Sequence, residues 1–233
     1  GDEARDNIVN NKERFFHPYA IGMRTSIVLR SRYAEDCLKT AYKKGIRQYL
    51  LLGAGLDTFA YRQPAWAKDL RIVEADHPAS GKSVWELLHK ANIPIPENIV
   101  YTKVDLEQDD LTTIFSDVID LAKPVFISCL GVLVYLNKHT CEKIFRFAAS
   151  LAKGSEFVFT AKQNADDNII AQRAAEAGEP WISHFTKEEL NDLLKDCGFS
   201  GIHFLTAEEV KRLYADANII RSFPSQRSSV VKV

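Results

Sequence analysis

Gly53-Ala54-Gly55 follows directly on the apolar run Gln48-Tyr-Leu-Leu-Leu52. A Gly-x-Gly turn after a buried strand lets a ligand reach the backbone without meeting a Cβ, and the amides that follow can serve as donors. Asp76 stands 21 positions beyond Gly55 and closes the second apolar run, Arg71-Ile-Val-Glu74. In doubly wound sheets an acid at that position hydrogen-bonds a ribose diol. The third run, Ile99-Val-Tyr-Thr-Lys-Val104, ends in Asp105-Leu106. Gly, Asp and Asp on three successive strand ends point to a nucleoside site more than to a structural turn flanked by surface acids. A dinucleotide fingerprint wants a third glycine, where Gly53-Ala-Gly-Leu-Asp-Thr58 supplies Asp57 and Thr58. No Gly-x-x-x-x-Gly-Lys-Ser/Thr phosphate loop occurs.

The elements that must position these residues alternate regularly. Strand-like runs at Gln48–Leu52, Arg71–Glu74, Ile99–Val104, Pro124–Cys129 and Glu156–Thr160 are separated by helical patterns over 80–90, 111–121 and 140–151. The first and fourth runs are almost wholly apolar, as strands covered on both faces are. This rhythm predicts a doubly wound α/β sheet. Ile202–Leu205 and Ser228–Val231 are suited to a terminal strand pair, with Pro224 and Ser225 turning the chain before the last. Thr186-Lys-Glu-Glu189 is a capping box opening a helix that ends at Gly198. Residues 1–45, helical most clearly over 33–44, and residues 162–185 lie outside the alternation and are expected to cover the sheet edge where the loops emerge.

Composition narrows the partners. Of 233 residues, 46% are hydrophobic and 26% charged, which excludes wholesale disorder. Thirty Lys and Arg balance 31 Asp and Glu, so no bulk positive charge is available for nucleic acid or an anionic membrane. The longest apolar stretch, 124–136, is too short to span a bilayer. Asp2, Glu3, Arg5 and Asp6 occupy the place where a secretory signal needs apolar residues. Cys37, Cys129, Cys141 and Cys197 are scattered, with no Cys-x-x-Cys and no histidine at metal-ligand spacing. Reduced, buried thiols in a cytoplasmic protein are expected, and no metal site.

The segment Leu51-Leu-Gly-Ala-Gly-Leu-Asp-Thr-Phe-Ala-Tyr-Arg62 resembles the signature of the leucine carboxyl methyltransferase family, including its bacterial O-methyltransferase branch. Further matches follow in the family's order over residues 12–200. They are Lys12 with Phe16-His-Pro-Tyr19, Arg30-Ser-Arg32, Gly45-Ile-Arg-Gln48, Glu74-Ala-Asp-His-Pro78, Val132-Leu-Val-Tyr-Leu136 and Gly178-Glu-Pro-Trp181. The resemblance implies a class I S-adenosylmethionine-dependent methyltransferase: one domain over 1–233 with a Rossmann-like, mostly parallel, seven-stranded sheet. Residues 1–45 would form an amino-terminal helical cover and 162–185 a lid insertion. The implied activity is O-methylation of a carboxylate or hydroxyl, on a small molecule or an exposed carboxyl terminus.

Carried over residue by residue, the resemblance places the methionine part and ribose of S-adenosyl-L-methionine against Gly53, Ala54 and Gly55. Asp76 would take the ribose hydroxyls, and Asp105 and Leu106 the adenine. Arg30, or Arg32 in the same segment, would pair with the cofactor carboxylate, for which a planar guanidinium is suited. Lys12 is a second candidate for that carboxylate or for an acidic substrate. Two positions depart from the pattern: Phe59 stands where bacterial relatives carry Arg, and Leu130 where the family has a Glu near the cofactor. The missing acid implies weaker cofactor binding, a different acceptor, loss of catalysis, or compensation by Asp57 or Glu74. Methyl transfer is an in-line displacement in which positioning dominates, worth on the order of 7–11 kcal/mol. A carboxylate acceptor needs no base, whereas an alcohol or phenol does. Tyr135, His17 and His184 are the candidates. Two other readings stay open, a cofactor-binding protein without turnover and a nicotinamide-dependent oxidoreductase on the same sheet.

Overall fold

The computed structural model describes residues 6, 9–163, 169–176, 178–214 and 228–233. Two helices, α1 (Lys12–Phe16) and α2 (Pro18–Lys43), lead into β1 (Gln48–Leu52). There follow β2 (Arg71–Asp76), α3 (Pro78–Lys90), β3 (Ile99–Lys103), α4 (Leu111–Ser116), β4 (Val125–Cys129), α5 (Lys138–Ser150) and β5 (Glu156–Lys162). The last part carries α6 (Ile169–Glu176), α7 (Lys187–Asp196), β6 (His203–Phe204), α8 (Ala207–Tyr214) and β7 (Ser228–Lys232). The seven strands form one sheet in the order β3-β2-β1-β4-β5-β7-β6, in which β7 runs antiparallel to both β5 and β6. The expected terminal pair is therefore present, and the sheet is mostly parallel. The turn expected at Pro224 and Ser225 lies outside the described residues.

Strand alternation divides the core into two layers. Leu50 and Leu52 of β1 face one side with Val73, Ala75, Ile127, Phe157 and Phe159, under α4, α5 and α7. Tyr49 and Leu51 face the other with Ile72, Phe126 and Val158, against Tyr33, Cys37, Leu38 and Ala41 of α2. All five residues of β1 and of β4 are buried, which is why their sequences lack polar alternation.

One helical expectation is corrected and another is extended. The pattern over 111–121 stops as a helix at Ser116, where Val118 and Ile119 turn back onto the carbonyl of Phe115. The apolar residues of that turn are still packed on the core, which is what extended the periodicity. The amino-terminal segment is helical as expected, and the stretch that reads most clearly, 33–44, is the second half of a helix that begins at Pro18. Its first half carries exposed Met23, Ile27 and Val28, so no clean apolar stripe marks it. By contrast α7 is closed by the expected capping box, with Thr186 Oγ1 accepting from Glu189 N at 3.1 Å and Glu189 Oε2 accepting from Thr186 N at 2.9 Å.

Candidate functional site

The strand order reverses between β1 and β4, whose carboxyl ends open a crevice at the switch point of the sheet. A cavity of about 780 Å³ lies there, within the range of small-molecule sites. It is lined by Gly53, Ala54, Gly55, Leu56 and Asp57 after β1, by Asp76 and His77 after β2, and by Val104, Asp105, Leu106 and Glu107 after β3. Leu130, Gly131, Val132 and Tyr135 follow β4. The outer walls come from Ile27, Arg30 and Ser31 of α2 and from Gly178, Glu179, Pro180 and Ile182. Nine of the sequence candidates (Arg30, Gly53, Ala54, Gly55, Asp76, Asp105, Leu106, Leu130 and Tyr135) thus share one cavity.

Three candidates do not line it. Lys12 is exposed on α1, His17 is exposed at that helix's carboxyl end, and His184 is half-buried just before α7. Arg32 is also elsewhere: it is exposed and bonded to Asp36 at 3.1 Å, one helical turn on, which leaves Arg30 as the arginine of this segment at the cavity.

The glycine turn works by space and not by donors. Gly53 N donates to Ala75 O at 2.8 Å and Ala54 N to the same oxygen at 3.2 Å. Gly55 N donates to Asp76 Oδ2 at 2.6 Å. These three amides are used within the fold. What Gly53 contributes is a positive φ of 67° in a place where a Cβ would overlap Val132 Cγ2. Asp76 is fixed from both sides, since its Oδ1 also accepts from His77 N at 2.7 Å. Asp105 Oδ1 accepts from Glu107 N at 2.9 Å and Gln108 N at 3.3 Å, and its backbone N–H donates to Asp109 Oδ2 at 2.8 Å. The two acids are held rigidly at neighbouring strand ends.

Gly131 was not among the sequence candidates. It adopts a φ of 80°, and a Cβ there would sit 2.6 Å from Arg30 Nη1 and 2.7 Å from Nη2. The glycine lets the guanidinium lie flat against the backbone after β4. Only the Gly within Leu130-Gly-Val132 could have signalled this, and its partner lies a hundred residues upstream. Burial pushes the Arg30 pKa down, with Tyr135 and Asp57 acting in the other direction. Its Nε is buried and has no hydrogen-bond partner among the described residues. Arg30 is therefore a partly desolvated cation at the cavity wall, with no carboxylate paired to it among the described residues.

Buried acid accompanies it. Burial raises the pKa of Asp57, whose Oδ1 accepts from Phe59 N at 2.7 Å. Burial likewise raises Glu74 to about 7, and Tyr61 Oη donates to its Oε2 at 2.5 Å. Glu74 is not among the cavity's lining residues. At the mouth, Ile27, Leu56, Tyr135 and Ile182 are exposed large apolar or aromatic side chains on the rim of a single cavity. Among the described residues no cluster of His, Cys, Asp or Glu could hold a metal ion, and no helix is long and apolar enough to cross a membrane. All four cysteines are buried and unpaired in disulfides.

The sheet is that of the class I methyltransferases, and its switch-point cavity carries acids at the ends of β2 and β3, where doubly wound sheets hold their ligands. Residues 4–149 match the family model described as leucine carboxyl methyltransferase, and the chain belongs to that family. It is similar to YktD of Bacillus subtilis, named as a candidate S-adenosyl-L-methionine-dependent methyltransferase, at 29% identity over 91% of this chain and 73% of YktD. A Streptomyces coelicolor protein with the same kind of name is 32% identical over 68% of this chain and 56% of its own length. The chain thus spans about three quarters of the first relative and little more than half of the second. Among solved structures, a DUF574 family protein from Streptomyces avermitilis aligns with a TM-score of 0.69 at 18% identity, covering 99% of this chain and 88% of that one. A candidate methyltransferase from Thermobifida fusca aligns with a TM-score of 0.62 at 21% identity, covering 91% and 81%. These two likenesses establish the fold.

Proposed function

We propose that the chain is an S-adenosyl-L-methionine-dependent O-methyltransferase. The acceptor would be a small molecule or an exposed carboxyl terminus, engaged through a carboxylate or hydroxyl. The observation that carries this reading is Arg30: a half-buried arginine seated on Gly131, its buried Nε without a partner among the described residues, on the wall of the cavity that Asp76 and the Gly53 turn share. A desolvated cation of this kind fits a ligand carboxylate, and its planar fork suits bidentate pairing.

In this reading Arg30 takes the carboxylate, Asp76 the ribose hydroxyls, and Asp105 with Leu106 the adenine, while Gly53, Ala54 and Gly55 give the ligand room. When bound, the cofactor supplies an electrophilic methyl carbon on a sulfonium, which bonds to the acceptor oxygen as its bond to sulfur breaks. The protein's part is alignment and exclusion of water. Ile27, Leu56, Tyr135 and Ile182 suit the apolar body of an acceptor, and Tyr135 is the one base candidate on the cavity wall. Residues 1–233 would then act as one methyltransferase domain, covered by segments within 1–45 and 162–185, both of which contribute to the outer wall.

A second reading, cofactor binding without turnover, is favoured by the half-buried Leu130 where the family carries Glu. Calorimetric titration with S-adenosyl-L-methionine and S-adenosylhomocysteine, followed by labelled methyl transfer to a panel of acids, alcohols and phenols, separates the two. Binding with transfer supports the enzyme, binding without transfer to any acceptor supports the second reading, and absence of binding defeats both.

A further inference from the structure

Leu130 leaves the cavity without the acid that the family pattern would place there, yet the ligand proposed above carries an ammonium beside its carboxylate. The acids on and near the cavity differ sharply in how they are engaged. Asp76 accepts an amide on each oxygen, from Gly55 and His77. Asp105 Oδ1 accepts from the amides of its own loop, and its Oδ2 lies 4.0 Å from His77 Nε2. Glu107 Oε1 accepts from Asn137 Nδ2 at 3.2 Å. Glu74 is bonded to Tyr61 and lies outside the lining.

Asp57 is different. It lines the cavity on the loop after β1, and of its two oxygens only Oδ1 is used among the described hydrogen bonds, by Phe59 N. Arg30 and Asp57 are close enough for each charge to act on the other, but no ion pair joins them among the described residues. Arg62, the other arginine whose charge reaches Asp57, is held by Glu35 and by Thr58 Oγ1. One cavity wall therefore carries a cation with no ion-pair partner among the described residues and a half-engaged anion.

We propose that Arg30 and Asp57 form a zwitterion site for an α-amino acid group, with Asp57 Oδ2 accepting from the ligand's ammonium in place of the acid that Leu130 lacks. This assignment rests on the cofactor reading above and chooses Asp57 over Glu74 as the compensating group. Burial of Asp57 without a fixed cation raises its pKa, a cost that an arriving ammonium would relieve.

The test is calorimetric titration of the whole chain and its Asp57→Asn variant with three ligands. These are S-adenosylhomocysteine, its deamino analogue, and 5′-methylthioadenosine, which lacks the amino acid. Asn retains an acceptor for Phe59 N, and Asp57→Ser, whose hydroxyl can also cap that amide, serves if Asn does not fold. The expected result is a loss of roughly 10- to 100-fold in S-adenosylhomocysteine affinity, the range of a charge-assisted hydrogen bond, with binding of the other two ligands unchanged. Equal losses for all three ligands, or none for any, overturn the assignment while leaving the cofactor reading intact. No binding of S-adenosylhomocysteine to the unsubstituted chain overturns both.

Discussion

The two ends of the sheet each carry a hollow of similar size, about 780 Å³ at the carboxyl edge and about 810 Å³ at the amino edge. Volume does not distinguish them, but the state of their charges does. At the amino edge Arg47 pairs with Asp69 at 3.2 Å and lies 4.0 Å from the ring centre of Tyr42. Lys123 pairs with Asp120 at 2.8 Å, and Arg71 Nε donates to Val118 O at 2.5 Å. Gln48 bridges back to Asp120 through both its amide atoms. Every one of these groups is answered by the protein itself. At the carboxyl edge Arg30 is half-buried with a buried Nε that has no partner among the described residues, and Asp57 has an oxygen to spare. A folded chain tolerates unpaired buried charge only where something else repays it, so the open end reads as a ligand site and the closed end as structure.

Arg30→Met is the most direct way to break this contrast. Affinity for S-adenosylhomocysteine should fall on the order of 100- to 1,000-fold, about 3–4 kcal/mol, because a ligand carboxylate would lose its buried partner. Thermal stability should hold or rise, since a desolvated cation is replaced by an apolar side chain of similar length. Calorimetry paired with a melting curve reads both. A variant that melts well below the parent would mean that Arg30 belongs to the fold's own accounting, like Arg47.

Glu74 sharpens the comparison, because it is a buried acid that does have a partner. The residue is 3% exposed, and burial pushes its pKa up to about 7 from an ordinary 4.5. A raised folded pKa means that the neutral form is the one the fold prefers. The stability it contributes is complete below pH 4.5, falls as pH rises through 7, and then levels off, by about 3 kcal/mol in all. Glu74→Gln removes that dependence, so urea unfolding at pH 5 and pH 8 should show the variant gaining on the parent as pH rises. Equal gains at the two pH values would contradict the burial argument.

Gly53→Ala tests the spatial role of the turn. The new Cβ meets Val132 in a left-handed backbone, which should lower stability by about 1–3 kcal/mol and weaken nucleoside binding in parallel. Melting temperature and 5′-methylthioadenosine affinity should fall together. Loss of stability with unchanged affinity would mean that the turn supports the strand but not the ligand.

How much of this could be read from the chain follows from the range of the interactions. β1 was bounded to the residue because five buried positions in a row leave one interpretation. Asp76 and Asp105 were legible because the spacing of a βαβ unit carries an acid to each strand end. The use made of the Gly53, Ala54 and Gly55 amides was not legible, since only the register between β1 and β2 reveals that Ala75 O and Asp76 take them. Gly131 was invisible because its reason is a guanidinium from α2, a contact that no local pattern encodes. Asp57 and Glu74 were indistinguishable as substitutes for the missing acid until side-chain partners separated them.

The smallest expected effect lies at the closed end. Arg47→Ala removes an ion pair whose partners are both about half exposed, together with a stacked contact on Tyr42. Such contacts contribute roughly 1 kcal/mol at most, screened further by salt. Binding of S-adenosylhomocysteine should be unchanged, because the site lies at the opposite edge of a rigid sheet and Arg47 has no ligand to lose. The same titration that detects the Arg30 loss would detect any effect here. A fall in affinity comparable to that of Arg30→Met would show that unanswered charge does not mark the site, and the distinction between the two hollows would then have to rest on something other than their chemistry.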